Sequence, residues 1–241
     1  LATYIAGYRT LSEETPKANR TKAVAAPLDA KQWRVIGALV VAMALTIPQS
    51  VAYYQNSSIG LVWIDAHVNL DAFGFHIPTS WFNSIDPFIS IVFVPVLIAL
   101  WRWQDKRGGE PNEVMKISIG AWIAAAANFA LVLGCLLAQR VPAIFPVIYD
   151  VLLGVAFLYY WPPLLALISR AAPSGLKATL IGAAFLSLFV GNILVGWVGT
   201  YYERMTPVNF WTLEGSIALV GGVLAFLLAR PLHRVLTGTA N

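Results

Sequence analysis

Asp86 stands inside an apolar stretch where hydrocarbon would otherwise surround it, in the run Phe82, Asn83, Ser84, Ile85, Asp86, Pro87. An ionised acid at such a depth costs about 2.5–3.5 kcal/mol on insertion scales, so its side chain is expected to face protein or water. There it could attract a substrate cation or carry a proton. The alternative is structural: if a helix starts near Pro87, the acid caps it and favours the positive end of its dipole. A second run, Tyr53, Tyr54, Gln55, Asn56, Ser57, Ser58, has too many hydrogen-bonding groups for a lipid-facing helix. It should line a cavity or a helix contact, unless the two tyrosines belong to an interfacial aromatic belt. Asn192, beside Gly191, is a further polar candidate that an interhelical hydrogen bond explains equally well. Asp150 and Glu214 lie near the outer edges of their apolar stretches and are expected to be solvated.

Other chemistries lack residues. No His-Glu-x-x-His or Gly-x-Ser-x-Gly run occurs, and His67, His76 and His233 all fall outside the apolar stretches, so an intramembrane enzyme is not expected. The single cysteine, Cys135, can form no intrachain disulfide and no thiolate metal cluster. No cofactor or metal is indicated.

The elements that must position these residues are six apolar stretches: Arg34 to Tyr54, Ser80 to Trp101, Val114 to Ala138, Pro146 to Ile168, Leu176 to Tyr201 and Phe210 to Ala229. Each is near the roughly 20 residues that a hydrocarbon core of about 30 Å requires. With no water to satisfy the backbone there, all six should be helices, giving an all-α membrane protein, a six-transmembrane-helix bundle. Fourteen of the sixteen basic residues fall on one side of these spans, with only Arg140 and Arg204 on the other. By the positive-inside rule both ends are cytoplasmic, in a bacterial inner membrane. Topology therefore accounts for the net charge of +4, and nucleic acid is not an expected partner.

Within the spans Pro48, Pro87, Pro95, Pro162 and Pro163 disturb the hydrogen-bond ladder and mark either packing kinks or hinges. Gly182, Gly191, Gly196, Gly199, Gly215, Gly221 and Gly222 are expected to permit close helix packing. Residues 1–11 look like the end of a helix begun upstream, and 12–29 like a solvated basic linker. The expected organisation is thus a helix end and cytoplasmic linker over 1–33, a transmembrane bundle over 34–236 and a tail over 237–241. That is the form of the second half of a transporter with twice six helices, whose two bundles enclose a midplane site.

The stretch Gly74, Phe75, His76, Ile77, Pro78, Thr79, Ser80, Trp81, Phe82, Asn83, Ser84, Ile85, Asp86, Pro87 is similar to a pattern that precedes the eighth helix in the proton-dependent oligopeptide transporter family, a branch of the major facilitator superfamily. Gln55 with Ser57 and Ser58, Lys116 with Gly120, Ala172 with Pro173, Gly182, Gly191 with Asn192, and the basic end after Pro231 extend the match across most of Trp33 to Arg234. The resemblance is to the C-terminal half, helices seven to twelve. It implies half of a proton-coupled symporter for peptides or a related small polar solute, partnered by the bilayer, protons and an N-terminal six-helix half. The implied substrate-binding residues are Tyr53, Tyr54, Gln55, Asp86, Trp161 and Asn192, with Asp86 also the proton-coupling candidate. Several positions depart from the family. Ser50 and Tyr54 stand where helix seven often carries Trp and Glu. Phe157 or Ala156 replaces the helix-ten glutamate, Trp161-Pro162 replaces Ser-Pro, and Ala184 replaces a helix-eleven Trp. These losses leave a second reading open, a membrane scaffold that kept the fold and lost transport.

Overall fold

The computed structural model describes residues 28–72 and 74–238. The helix end and most of the linker anticipated before residue 28, and the last residues of the tail, lie outside the described residues. The chain divides into two units, Leu1–Ala30 and Lys31–Asn241, and the second is the helical bundle.

Six helical spans are long and apolar enough to cross a membrane: Ala30–His67, Thr79–Arg107, Glu113–Leu137, Ile144–Ala171, Lys177–Arg204 and Pro207–Thr237. The first is composite. Helix α1 (Ala30–Leu45) breaks at Thr46, α2 (Ile47–Tyr54) restarts with Pro48 in its opening turn, and a π-helical stretch, Asn56–Gly60, leads into α3 (Leu61–His67). The remaining spans are α4 (Ile85–Arg107) after a 3-10 stretch Thr79–Ser84, α5 (Glu113–Leu137), α6 (Ile144–Ala171), α7 (Lys177–Gly199) and α8 (Pro207–Thr237).

The first span therefore runs past Tyr54, where the polar run was expected to end it. The run can remain helical because its polar groups find partners inside the protein: Gln55 and Asn56 are buried and bonded to other helices. Pro87 occupies the opening turn of α4, where a missing donor costs little, whereas Pro48 opens α2 just after the break at Thr46. Pro95, Pro162 and Pro163 lie within helices.

The third and sixth spans form the most extensive helix contact, and glycine makes it possible. A Cβ on Gly222 would lie 2.5 Å from Trp122 Cδ1 of the third span, while one on Gly221 would lie 2.6 Å from Pro48 Cβ of the first. Gly191 behaves as expected, since its Cβ would stand 3.1 Å from that of Ser50, whereas Gly182 and Gly196 face open space. One apolar cluster, including Trp63, Tyr149, Phe210 and Trp211, fills one end of the bundle. A second, including Leu39, Ile117, Leu164 and Ile168, fills the other.

The first end is capped. Strand β1 (Val68–Asn69) pairs in parallel with β4 (Val141–Pro142), joining the first and third connections, and a short hairpin, β2 (Asp71–Ala72) with β3 (Phe75–His76), lies between. The opposite, basic end carries Arg102, Lys106, Arg107, Lys116, Arg170, Lys177, Arg230 and Arg234. There α4 stops at Gly108 and Gly109, whose φ values of 154° and 109° suit glycine alone. Spans two and five are peripheral, with 11% and 22% of their apolar windows buried against 61% for the first.

Candidate functional site

Asp86 lies in the first turn of α4 and is 6% exposed. Its Oδ2 accepts from the Tyr53 hydroxyl at 2.5 Å and from Asn56 Nδ2 at 3.4 Å. Both donors belong to the first span, so the carboxylate ties two spans together. It sits where the dipole of α4 favours it, yet its side chain makes no capping bond to that helix, whose N-cap is Ser84. Buried polar groups require such partners because burial without them is costly.

Tyr53 connects Asp86 to an aromatic row. Its ring meets Tyr54 edge-on at 4.9 Å, Phe157 at 5.7 Å and Tyr160 at 6.2 Å; Tyr160 meets Trp161 at 6.3 Å, and Trp161 meets Phe185 at 5.3 Å. Tyr53 is buried rather than placed in a belt at the membrane surface. Of the candidate residues, the structure thus unites Tyr53, Tyr54 and Asp86, with Trp161 joined through Tyr160.

Gln55 and Asn192 stand apart from them. Gln55 is fully enclosed, and its Nε2 donates to Val195 O at 3.1 Å and to Glu214 Oε1 at 2.9 Å, linking the first span to the fifth and sixth. Asn192 is exposed, and its Nδ2 donates to Leu188 O at 2.9 Å within its own helix, so the interhelical bond considered for it is not the one it makes.

Two acids read as solvated are enclosed instead: Asp150 is 2% and Glu214 0% exposed. Distance from the span edge misjudged them because α3 and the β1–β4 pair cover this end of the bundle. Asp150 interacts electrostatically with Asp86 and with the Asn56 amide. Among the described residues, Asp150 Oδ2, Glu214 Oε2, Gln55 Oε1 and the Tyr149 hydroxyl have no hydrogen-bond partner. The signal present in the sequence is that any acid within an apolar span is a functional candidate, and Asp150 and Glu214 carry it as Asp86 does. Among the described residues, no group of three or more His, Cys, Asp or Glu is placed to hold a metal ion. An enclosed set of carboxyls without paired cations is suited to holding protons or to attracting a cationic group.

The basic end is built differently. A cleft of about 560 Å³ lies there, lined by Trp101, Glu110, Glu113, Lys116, Arg170 and His233 among others. Lys116 Nζ bonds the Glu110 carboxylate and lies 3.7 Å over the Trp101 ring, while Arg170 donates to Glu113 Oε1 at 2.7 Å.

Residues 8–212 match the sequence profile of the POT family. The chain belongs to the POT family. Its relatives include a di-/tripeptide transporter of Lactococcus lactis subsp. cremoris, 22% identical over 76% of this chain and 38% of that protein. Another is a peptide transporter of Yersinia enterocolitica, 28% identical over 69% of this chain and 34% of that protein. The chain thus spans about two fifths or less of the length of these relatives. Among solved structures, a peptide transporter POT in complex with sulfate superposes with a TM-score of 0.76 at 23% identity, covering 98% of this chain and 45% of that one. A POT family transporter in complex with 5-aminolevulinic acid superposes with the same score at 16% identity, covering 85% and 43%. These likenesses establish the fold: an all-α membrane bundle of six helices, half of a major facilitator superfamily architecture. The matched POT relatives are transporters, not enzymes.

Proposed function

We propose that this chain is the C-terminal half, helices seven to twelve, of a proton-coupled symporter for peptides or a related small polar solute, with Asp86 as the polar anchor of the substrate cavity. The observation that carries the proposal is the enclosed Asp86 carboxylate, held by Tyr53 and Asn56 beside an aromatic row, in a chain of the POT family. An asparagine there could only hydrogen-bond, whereas an aspartate can also attract a substrate amine or carry a proton. In this reading Tyr53, Tyr54 and Trp161 line the cavity with Asp86, and Asn192, exposed on α7 apart from them, would meet the substrate from outside this bundle. Gln55, though a candidate by resemblance, acts as a brace through Val195 and Glu214. An N-terminal six-helix half covers the exposed apolar faces of α4 and α7, which include Phe88, Ile91, Phe189 and Ile193. Such a half would complete the alternating-access pair. The bundle occupies 34–236, between a helix end with a cytoplasmic linker over 1–33 and a cytoplasmic tail over 237–241, in a bacterial inner membrane with both ends on its cytoplasmic side.

The test is Asp86→Asn in the full-length protein, with peptide uptake measured against pH. The expected result is weakened uptake with an altered pH profile. An unchanged affinity and profile would reduce Asp86 to a structural tie. A scaffold without transport is the second reading, favoured by the loss of the family's helix-ten acid, where Phe157 or Ala156 stands, Phe157 being packed against Tyr53 and Tyr160. Absence of uptake by the wild-type protein would select it.

A further inference from the structure

The pairing of Glu214 with Gln55 is incomplete in a way that a single proton would repair. Glutamine carries two amide hydrogens and one acceptor oxygen, and an ionised carboxylate only accepts. Both Gln55 hydrogens are used, one on Glu214 Oε1 and one on Val195 O. This leaves two enclosed acceptors, Gln55 Oε1 and Glu214 Oε2, with no donor among the described residues. Exchanging the amide nitrogen and oxygen would not help, because it would set an oxygen against both the carboxylate and the carbonyl. A proton on Glu214 Oε2 supplies the missing donor, and Gln55 Oε1 is the free acceptor on the amide already bound to that carboxyl. The result is a reciprocal acid–amide pair with two hydrogen bonds, the arrangement that a fully enclosed polar pair requires.

The surroundings supply no cation in place of that proton. Among the described residues no Lys, Arg or His pairs with Glu214. The α6 helix contributes the Tyr149 hydroxyl, which interacts electrostatically with Glu214, Asp150 and Asp86. At this level α7 offers the Val195 carbonyl. On α5 the titratable group toward this end, Cys135, interacts with Trp63 and Tyr202. The own-helix neighbour Trp211 stacks edge-on with Tyr149 at 5.7 Å.

We propose that Glu214 is a proton-binding site distinct from Asp86, its proton held between Glu214 Oε2 and the amide oxygen of Gln55. Binding takes a proton from water and forms one O–H bond; release reverses it, and no other bond changes. That this proton is coupled to solute movement rests on the symporter reading; the proton site itself does not. Infrared difference spectroscopy of the full-length protein in lipid, titrated with acid and base, reads the site without any transport. The expected result is a protonated-carboxyl carbonyl band that Glu214→Gln removes, Gln55→Met shifts and Asp86→Asn leaves in place. Loss of no band in Glu214→Gln overturns the proposal. If that variant does not fold, the absence of a shift in Gln55→Met overturns it. Coupling is read separately as uptake driven by an imposed proton gradient, which Glu214→Gln should abolish; undiminished uptake refutes the coupling. A wild-type protein that takes up no peptide sinks the symporter reading alone, and the infrared result still decides the site.

Discussion

At the capped end Asp86, Asp150 and Glu214 are enclosed among tyrosine, tryptophan and amide groups, with no cation among the described residues paired to them. At the basic end Lys116 and Arg170 each meet a glutamate beside an open cleft. Both ends place charge-bearing side chains next to apolar helices, but the remedies differ. A glutamate neutralised by lysine or arginine has no reason to exchange protons, and its pairing fixes neighbouring segments. A carboxyl held only by hydroxyl and amide groups can gain or lose a proton without breaking an ion pair. The basic end is therefore suited to a structural role, and the capped end to chemistry that moves charge. Three substitutions probe that contrast.

The largest effect is expected from Gly154→Leu, which strikes the wall of the capped end. A Cβ at Gly154 would lie 2.6 Å from the backbone oxygen of Asp86 and 3.0 Å from Ile89 Cβ. A backbone oxygen in the opening turn of α4 cannot swing aside, so α4 and α6 must separate. Overpacking of this kind costs about 1–3 kcal/mol or more, seen as a lower thermal midpoint in detergent. Gly196→Leu, with open space around it, should leave the midpoint unchanged. Equal midpoints for the two variants would show that the α4–α6 contact is not tight.

Lys116→Met comes next, at the basic end. The lysine is 7% exposed, bonds Glu110 and covers the Trp101 ring. Its removal leaves the exposed Glu110 without its cation and takes away the cation–π contact. The expected cost is about 1–3 kcal/mol, less than for a fully buried pair because Glu110 still reaches water. Adding Glu110→Gln should recover part of the loss. A double variant no better than Lys116→Met alone would mean that the packing of the lysine stem, rather than its charge, supports the fold.

The contrast between the ends was only partly legible in the residues. The spans were, because apolar length is dictated by bilayer thickness whatever the packing, and Asp86 was, because it falls inside one of those stretches. The continuation of the first span to His67 was hidden by the polarity of Gln55 to Ser58, which reads as an exit from the membrane until partners on other helices are known. Asp150 and Glu214 were misread for the same reason: the cover over them comes from α3 and from a strand pairing between connections distant in sequence. Asn192 shows the converse, since a polar residue beside a packing glycine still points outward. Local pattern thus located the helices, and long-range contacts decided which polar groups are enclosed.

Arg170→Ala should have the smallest effect, and that smallness is itself informative. The arginine side chain is 75% exposed, while its partner Glu113 is 18% exposed and lies in the first turn of α5. Glu113 keeps the favourable helix dipole whether or not the arginine is present. An exposed ion pair contributes about 0.2–1 kcal/mol and loses most of that when salt is added. The expected midpoint change is therefore a small fraction of that for Lys116→Met, and it should shrink further at high salt. The measurement is thermal unfolding of both variants at low and high ionic strength. If the full-length protein shows a loss from Arg170→Ala as large and as insensitive to salt as that from Lys116→Met, water does not reach the pair there. The proposed N-terminal half would then account for that cover over the cleft between Trp101 and His233.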